Sequence, residues 1–166
     1  MHGRQDTRGM RAAHDLAHLS PAYFGIVMAT GIVSLAADLE GWARLARGLL
    51  DLNVVFYAAL WARLVLRVLR FPQRVHDDIV DHLHAQGFFT LVAGSSLLGS
   101  QFVVLAGDDR VGASLLVVTV VLWVGFTYTI FTALTIKEHK PSLDQGISGA
   151  WLLSVVATQS IAVLAA

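Results

Sequence analysis

Apolar residues run along this chain in long, uninterrupted blocks, and the polar ones are swept into the short segments between them. The blocks cover about 21–38, 49–71, 86–106, 112–136 and 146–166. An α-helix rises about 1.5 Å per residue, so roughly 20 apolar residues cross the hydrocarbon core of a bilayer. Each block is expected to be a transmembrane helix (spans 1 to 5), which makes the chain an all-α membrane protein. Residues 1–19 are left as a polar tail. Ser20-Pro21 suits a helix start, with Ser as N-cap and Pro in the first helical position. Phe71-Pro72 should end span 2, and Gly107-Asp108-Asp109 should form a turn. A secretory signal peptide cleaved after Ser34-Leu35-Ala36 is the rival reading of span 1. Its apolar core exceeds the usual length of about 7–15 residues, and further spans follow it.

The spans are of two kinds. Spans 2 and 4 are bulky and lipid-like, as in Val54-Val-Phe-Tyr-Ala-Ala-Leu-Trp61 and Leu115-Leu-Val-Val-Thr-Val-Val-Leu-Trp123. Span 3 instead places Gly94, Ser95, Ser96, Gly99 and Ser100 behind the Phe88-Phe89 pair, with no formal charge from Gln86 to Gly107. Small and hydroxyl side chains in mid-membrane suit close helix packing or the wall of a wet cavity. With Phe24, Phe89 and Trp151 in register, Thr30-Gly31, Ser95-Ser96 and Ala157-Thr158 align. Odd spans begin near 21, 87 and 147, a period of about 60–66 residues. The pattern predicts a repeated helical hairpin, small-residue helices inside and bulky ones outside; ordinary packing of small residues would look alike.

Charge sets the orientation. Arg4, Arg8, Arg11, Arg67, Arg70, Arg74, Lys137 and Lys140 fall on one side, and only Arg44, Arg47 and Arg110 on the other. The excess of Lys and Arg belongs in the cytoplasm, which places the N-terminus there; the expected location is the plasma membrane. The chain stops at Ile161-Ala-Val-Leu-Ala-Ala166 without a Trp, Tyr, Lys or Arg to anchor the helix, so a C-terminally truncated protein is expected.

Composition narrows the function. The 166 residues are 55% hydrophobic and 14% charged, against about 25% charged in a soluble domain; mean hydropathy is +0.63. A net charge of +0 gives no electrostatic case for nucleic acid, and the absence of Cys excludes disulfides and thiolate chemistry. Neither a phosphate-cradling Gly-rich loop nor a nucleophile–base pair is evident, so no enzyme and no cofactor are expected. His76, His82 and His84 with Asp77, Asp78 and Asp81 form the only metal-like cluster. On a helix, His82 and His84 would point to different faces, so no metal is expected there.

Pro21-Ala-Tyr-Phe-Gly-Ile-Val-Met-Ala-Thr-Gly-Ile-Val-Ser34 resembles the first helix of the tellurite-resistance/dicarboxylate transporter family, the group of TehA-like proteins, malate permeases and slow anion channels. Gly125-Phe-Thr-Tyr-Thr-Ile-Phe-Thr-Ala-Leu-Thr135, Lys140-Pro141 and Gly146-Ile-Ser-Gly-Ala-Trp151 are similar to its fourth helix, loop and fifth helix. The resemblance implies half of a ten-helix, five-hairpin fold with a pore lined by odd helices, assembled as a homotrimer. It departs from the family at Ala157-Thr158-Gln159, where many members carry a proline break, and the family's gating phenylalanine on the ninth helix has no counterpart.

An anion pathway needs dipoles more than fixed charge, because an anion held too tightly cannot leave. The candidate pore-lining residues are Gly25, Thr30, Gly31 and Ser34 on span 1, Gly94, Ser95 and Gly99 on span 3, and Thr158 and Gln159 on span 5. For each hydroxyl the competing reading is packing, with the oxygen bonded to its own i−4 carbonyl. Phe24, Phe88, Phe89 and Trp151 could constrict a pore or simply pack. Arg63 and Arg67, late in span 2, could form an anion-attracting vestibule, snorkel to the headgroups, or pair with Asp77, Asp78 or Asp81. The expected function is transport of small anions such as malate, sulfite, chloride or tellurite-related oxyanions, the partners being the bilayer and the anions themselves. Because the middles of spans 1, 3 and 5 carry no Asp, Glu or His, conduction should be channel-like. The alternative is a non-transporting membrane scaffold or an inactive fragment.

Overall fold

The computed structural model describes residues 21–80, 85, 87–136, 149 and 152–166. A 3-10 turn, Pro21–Phe24, runs into α1 (Gly25–Leu39), followed by α2 (Ala43–Arg70) and the short α3 (Pro72–Val80). Then come α4 (Gly87–Gln101), a π-helical turn (Phe102–Ala106) that extends it, α5 (Asp109–Ile136) and α6 (Leu152–Ala165). Four stretches are long and apolar enough to cross a membrane: Ala22–Leu39, Ala43–Arg70, Gly87–Ala106 and Asp109–Thr132; Leu152–Ala165 is apolar but shorter. The all-α membrane architecture expected from the apolar blocks is the one observed.

Boundaries moved where polar residues continue a helix. The second span begins at Ala43 rather than near 49, because Arg44 and Arg47 are helical although not apolar. Pro72 does end that span, with α2 stopping at Arg70 and Phe71 leaving helical geometry at φ −137, ψ 55. It also starts α3, since a proline in the first helical position lacks only an N–H that would have been orphaned anyway. Among the described residues, two glycines in the left-handed region close the turns after α1 and before α5: Gly41 at φ +82 and Gly107 at φ +66. Around Gly41, the N–H of Trp42 reaches the Ala37 carbonyl at 2.8 Å and that of Gly41 reaches Asp38 at 2.9 Å, a Schellman closure of α1. The Asp108 carboxylate then caps α5 by accepting from the N–H groups of Arg110 and Val111, each at 3.1 Å.

The helix with the small residues is the hub. In its most apolar window 72% of residues are buried, against 28%, 17% and 11% in the first, second and fourth spans. α4 packs on α1, α2, α5 and α6 at once, and from Gly87 to Gln101 only Leu97 is not buried. α1 offers it a stripe at helical spacing, Phe24, Val27, Gly31, Ser34 and Ala37, and α2 offers Ala46, Leu50, Asn53, Leu64 and Arg67. One apolar cluster joins Phe24, Val27, Leu64 and Leu91; the other joins Phe89, Val92, Ile130 and Ala157. Leu122 and Phe126 of α5 border both.

Lipid tails are as apolar as leucine, so helices in a membrane associate through van der Waals contact and hydrogen bonds rather than hydrophobic exclusion. Close approach is therefore the main source of stability, and glycine provides it. A β-carbon on Gly94 would lie 3.3 Å from the Phe24 carbonyl oxygen; one on Gly99 would lie 2.7 Å from Leu164 Cδ2. One on Gly112 would collide with Val103. The bulky residues of α2 and α5 point away from this core: Val55, Leu66 and Leu69, and Val117, Val121 and Tyr128, are exposed. Such a surface suits lipid.

Candidate functional site

The polar atoms around α4 divide into those that close onto their own helix and those that reach across. Ser95 Oγ donates to the Leu91 carbonyl at 2.7 Å, Ser100 Oγ to Ser96 at 3.2 Å, and Thr158 Oγ1 to Ser154 at 2.9 Å. These are the i−4 bonds available to any helical hydroxyl. Two of the three hydroxyls also reach a second helix: Tyr57 Oη lies 2.9 Å from Ser95 Oγ, and Trp123 Nε1 donates to Thr158 Oγ1 at 3.1 Å. Ser34 differs, donating at 2.8 Å to the Ala46 carbonyl on α2. Thr30 is half-buried one turn earlier on the same side.

The candidate positions thus fall on several faces of the bundle. Gly31 and Gly94 are at the α1–α4 crossing, Ser34 is in the α1–α2 seam, and Gly99 faces Leu115 and Leu164. Gly25 has nothing within 4 Å of where a β-carbon would stand, and Thr158 and Gln159 are exposed on α6. Helical spacing puts Thr90, Ala93, Leu97 and Ser100 on one face of α4. That face lies between α1, which Leu97 touches at Gly31, and α6, which Phe89 and Gly99 touch at Ala157 and Leu164. Its edge carries the only side chain of α4 that is not fully covered, Leu97.

The aromatic residues are locked into packing. Phe24 meets Tyr57 and Trp61 edge-on at 6.1 and 6.3 Å, and Phe88 lies tilted on Phe126 at 5.0 Å. Phe89 is 2% exposed beside Ile130. Trp151 lies outside the described residues. The structure separates the two arginines: Arg63 is exposed, whereas Arg67 is 3% exposed and paired at 2.5 Å with Asp78 of α3. Of the His/Asp cluster, Asp81, His82 and His84 lie outside the described residues.

Sequence reasoning missed an interhelical amide pair. Asn53 Nδ2 of α2 donates to Gln101 Oε1 at the end of α4 at 2.6 Å, and both residues are fully buried. Asn53 was hidden in a span read as lipid-like. The signal that finds it is spacing: Ala46, Leu50, Asn53, Tyr57, Leu60, Leu64 and Arg67 recur every three or four residues, so Asn53 stands on the seam.

These packed spans define a polytopic helical membrane protein with a small-residue central helix. A family model described as voltage-dependent anion channel (SLAC1) matches residues 18–166. The chain belongs to that family, whose members are anion channels and transporters rather than enzymes. No curated protein and no solved structure matched the chain.

Proposed function

We propose that the chain conducts small anions across the plasma membrane, along the side of the bundle where α1, α4 and α6 converge. The match to an anion-channel family over residues 18–166 carries this reading. The chemistry of that side agrees with it. α1 offers the open glycine Gly25 and α6 the exposed amide of Gln159, while the buried Thr90 and Ser100 hydroxyls of α4 already donate to the Gly87 and Ser96 carbonyls. Neutral dipoles of this kind can replace hydration water around an anion without trapping it. Malate, sulfite, chloride and tellurite-related oxyanions are the substrates to compare, in a homotrimer with its N-terminus in the cytoplasm.

The mechanism that follows is passive. A proton-coupled carrier needs a titrating group near mid-membrane; from Gly25 to Ala37, Gly87 to Gln101 and Leu152 to Ala165 there is no Asp, Glu, His, Lys or Arg. Flux should therefore follow voltage and persist when the pH gradient is collapsed at constant voltage. Flux that stops on collapse would mark a carrier instead.

A non-transporting scaffold is the second reading, favoured by the tight seating of Gly31, Gly94 and Gly99 against neighbouring helices. It predicts that substitutions at Thr30 or Ser95 alter association and leave anion flux at the level of empty liposomes.

A further inference from the structure

We propose that the Asn53–Gln101 pair is the binding site for a single buried water molecule wedged between α1, α2 and α4. One hydrogen bond closes between the two amides, from Asn53 Nδ2 to Gln101 Oε1 at 2.6 Å. Asn53 Oδ1 and Gln101 Nε2 are also buried, and neither has a hydrogen-bond partner. The oxygen and nitrogen of one amide stand only about 2.2 Å apart across the carbonyl carbon, so both open atoms flank the closed bond.

What these atoms can take follows from their polarity. Asn53 Oδ1 is an acceptor and needs a donor; Gln101 Nε2 is a donor and needs an acceptor. Reversing both amides exchanges the roles and again leaves one acceptor and one donor, so the conclusion does not depend on how the amide atoms are assigned. A simple anion satisfies only the donor and is repelled by the carbonyl oxygen. Water satisfies both and meets the two-partner minimum for a buried site. Left dry in an apolar bundle, each open atom would carry the desolvation cost of an unmade hydrogen bond. Gly31 lets α1 close tightly over the pair: a β-carbon there would lie 3.4 Å from Asn53 Nδ2, 3.4 Å from Gln101 Oε1 and 3.3 Å from Leu97 Cβ, so a methyl would press on the bonded atoms. The water thereby joins the first hairpin to the central helix.

The test is infrared spectroscopy of the full chain in lipid nanodiscs, exchanged between ordinary and oxygen-18 heavy water, together with thermal melting. The wild-type chain should show an isotope-sensitive water stretching band that is absent from N53L/Q101M and weakened in G31A. N53L and Q101M alone should each lower the melting temperature, and the double variant should recover most of that loss, because no amide is then left unpaired. A band of equal intensity in the wild type and the double variant would overturn the proposal. So would single variants that melt with the wild type. Neither readout depends on anion transport.

Discussion

The guanidinium of Arg67 donates to the carboxylate of Asp78 at 2.5 Å, tying the last turn of α2 to the short helix α3 that follows it. Arg67 stands on the buried seam of α2, so Asp78 supplies countercharge to a cation that has lost most of its water. Removing one partner of a buried pair typically costs about 3–5 kcal/mol; with 21% of Asp78 exposed, D78A should cost about 3 kcal/mol. Thermal unfolding in detergent reads this. Trypsin should also cleave after Arg70 or Arg74 faster in D78A, with D78N intermediate. Unchanged melting and cleavage would mean that the pair does not hold α3 in place.

Glycines that look alike in sequence should behave differently. At Gly94 a new methyl meets a backbone oxygen, which cannot swing away, so G94A should lose about 1–3 kcal/mol. At Gly25 nothing lies within 4 Å, and G25A should gain up to about 1 kcal/mol from helix propensity. G99A should fall between them, because the nearest atoms it meets are the flexible end of Leu164, with Leu115 Cβ farther off at 3.3 Å. Equal melting temperatures for G94A and G25A would sink this account of the α1–α4 crossing.

Tyr57 and Ser95 should be energetically coupled. Their hydroxyls lie 2.9 Å apart between α2 and α4, while Ser95 also bonds its own helix. A double-mutant cycle of Y57F and S95A should give a coupling of about 0.5–1.5 kcal/mol. Additive effects would show that the contact contributes nothing beyond packing.

The architecture was legible in the sequence because a bilayer enforces it: apolar length gave the spans, and small-residue content placed spans 1, 3 and 5 inside, of which the third is buried more deeply than the first, at 72% against 28%. Glycine enrichment reports close approach, and α4 is the helix that every other long helix approaches. Less visible were features that depend on which neighbour a side chain meets. Ser34 could have bonded its own helix, yet it reaches Ala46, a choice made by the crossing of α1 and α2. Asn53 is one polar residue in an apolar run, and only its place on the seam brings it to Gln101. α3 was obscured because Pro72 reads as a stop, whereas proline serves equally well as a first helical residue. Hydroxyl content marked Ser95 as a pore-lining candidate, but which neighbour its side chain meets, Tyr57 of α2, depends on helix crossing and was not legible.

Anion efflux from liposomes containing the purified chain, wild type beside G25L, tests the central claim most directly. Gly25 has open space around it, so a leucine there should leave the melting temperature within a few degrees of wild type while narrowing the path. The account predicts chloride and sulfite efflux above empty liposomes, no potassium permeability, and a several-fold loss of anion flux in G25L. Efflux no faster than from empty liposomes, or a G25L flux equal to wild type, would contradict it.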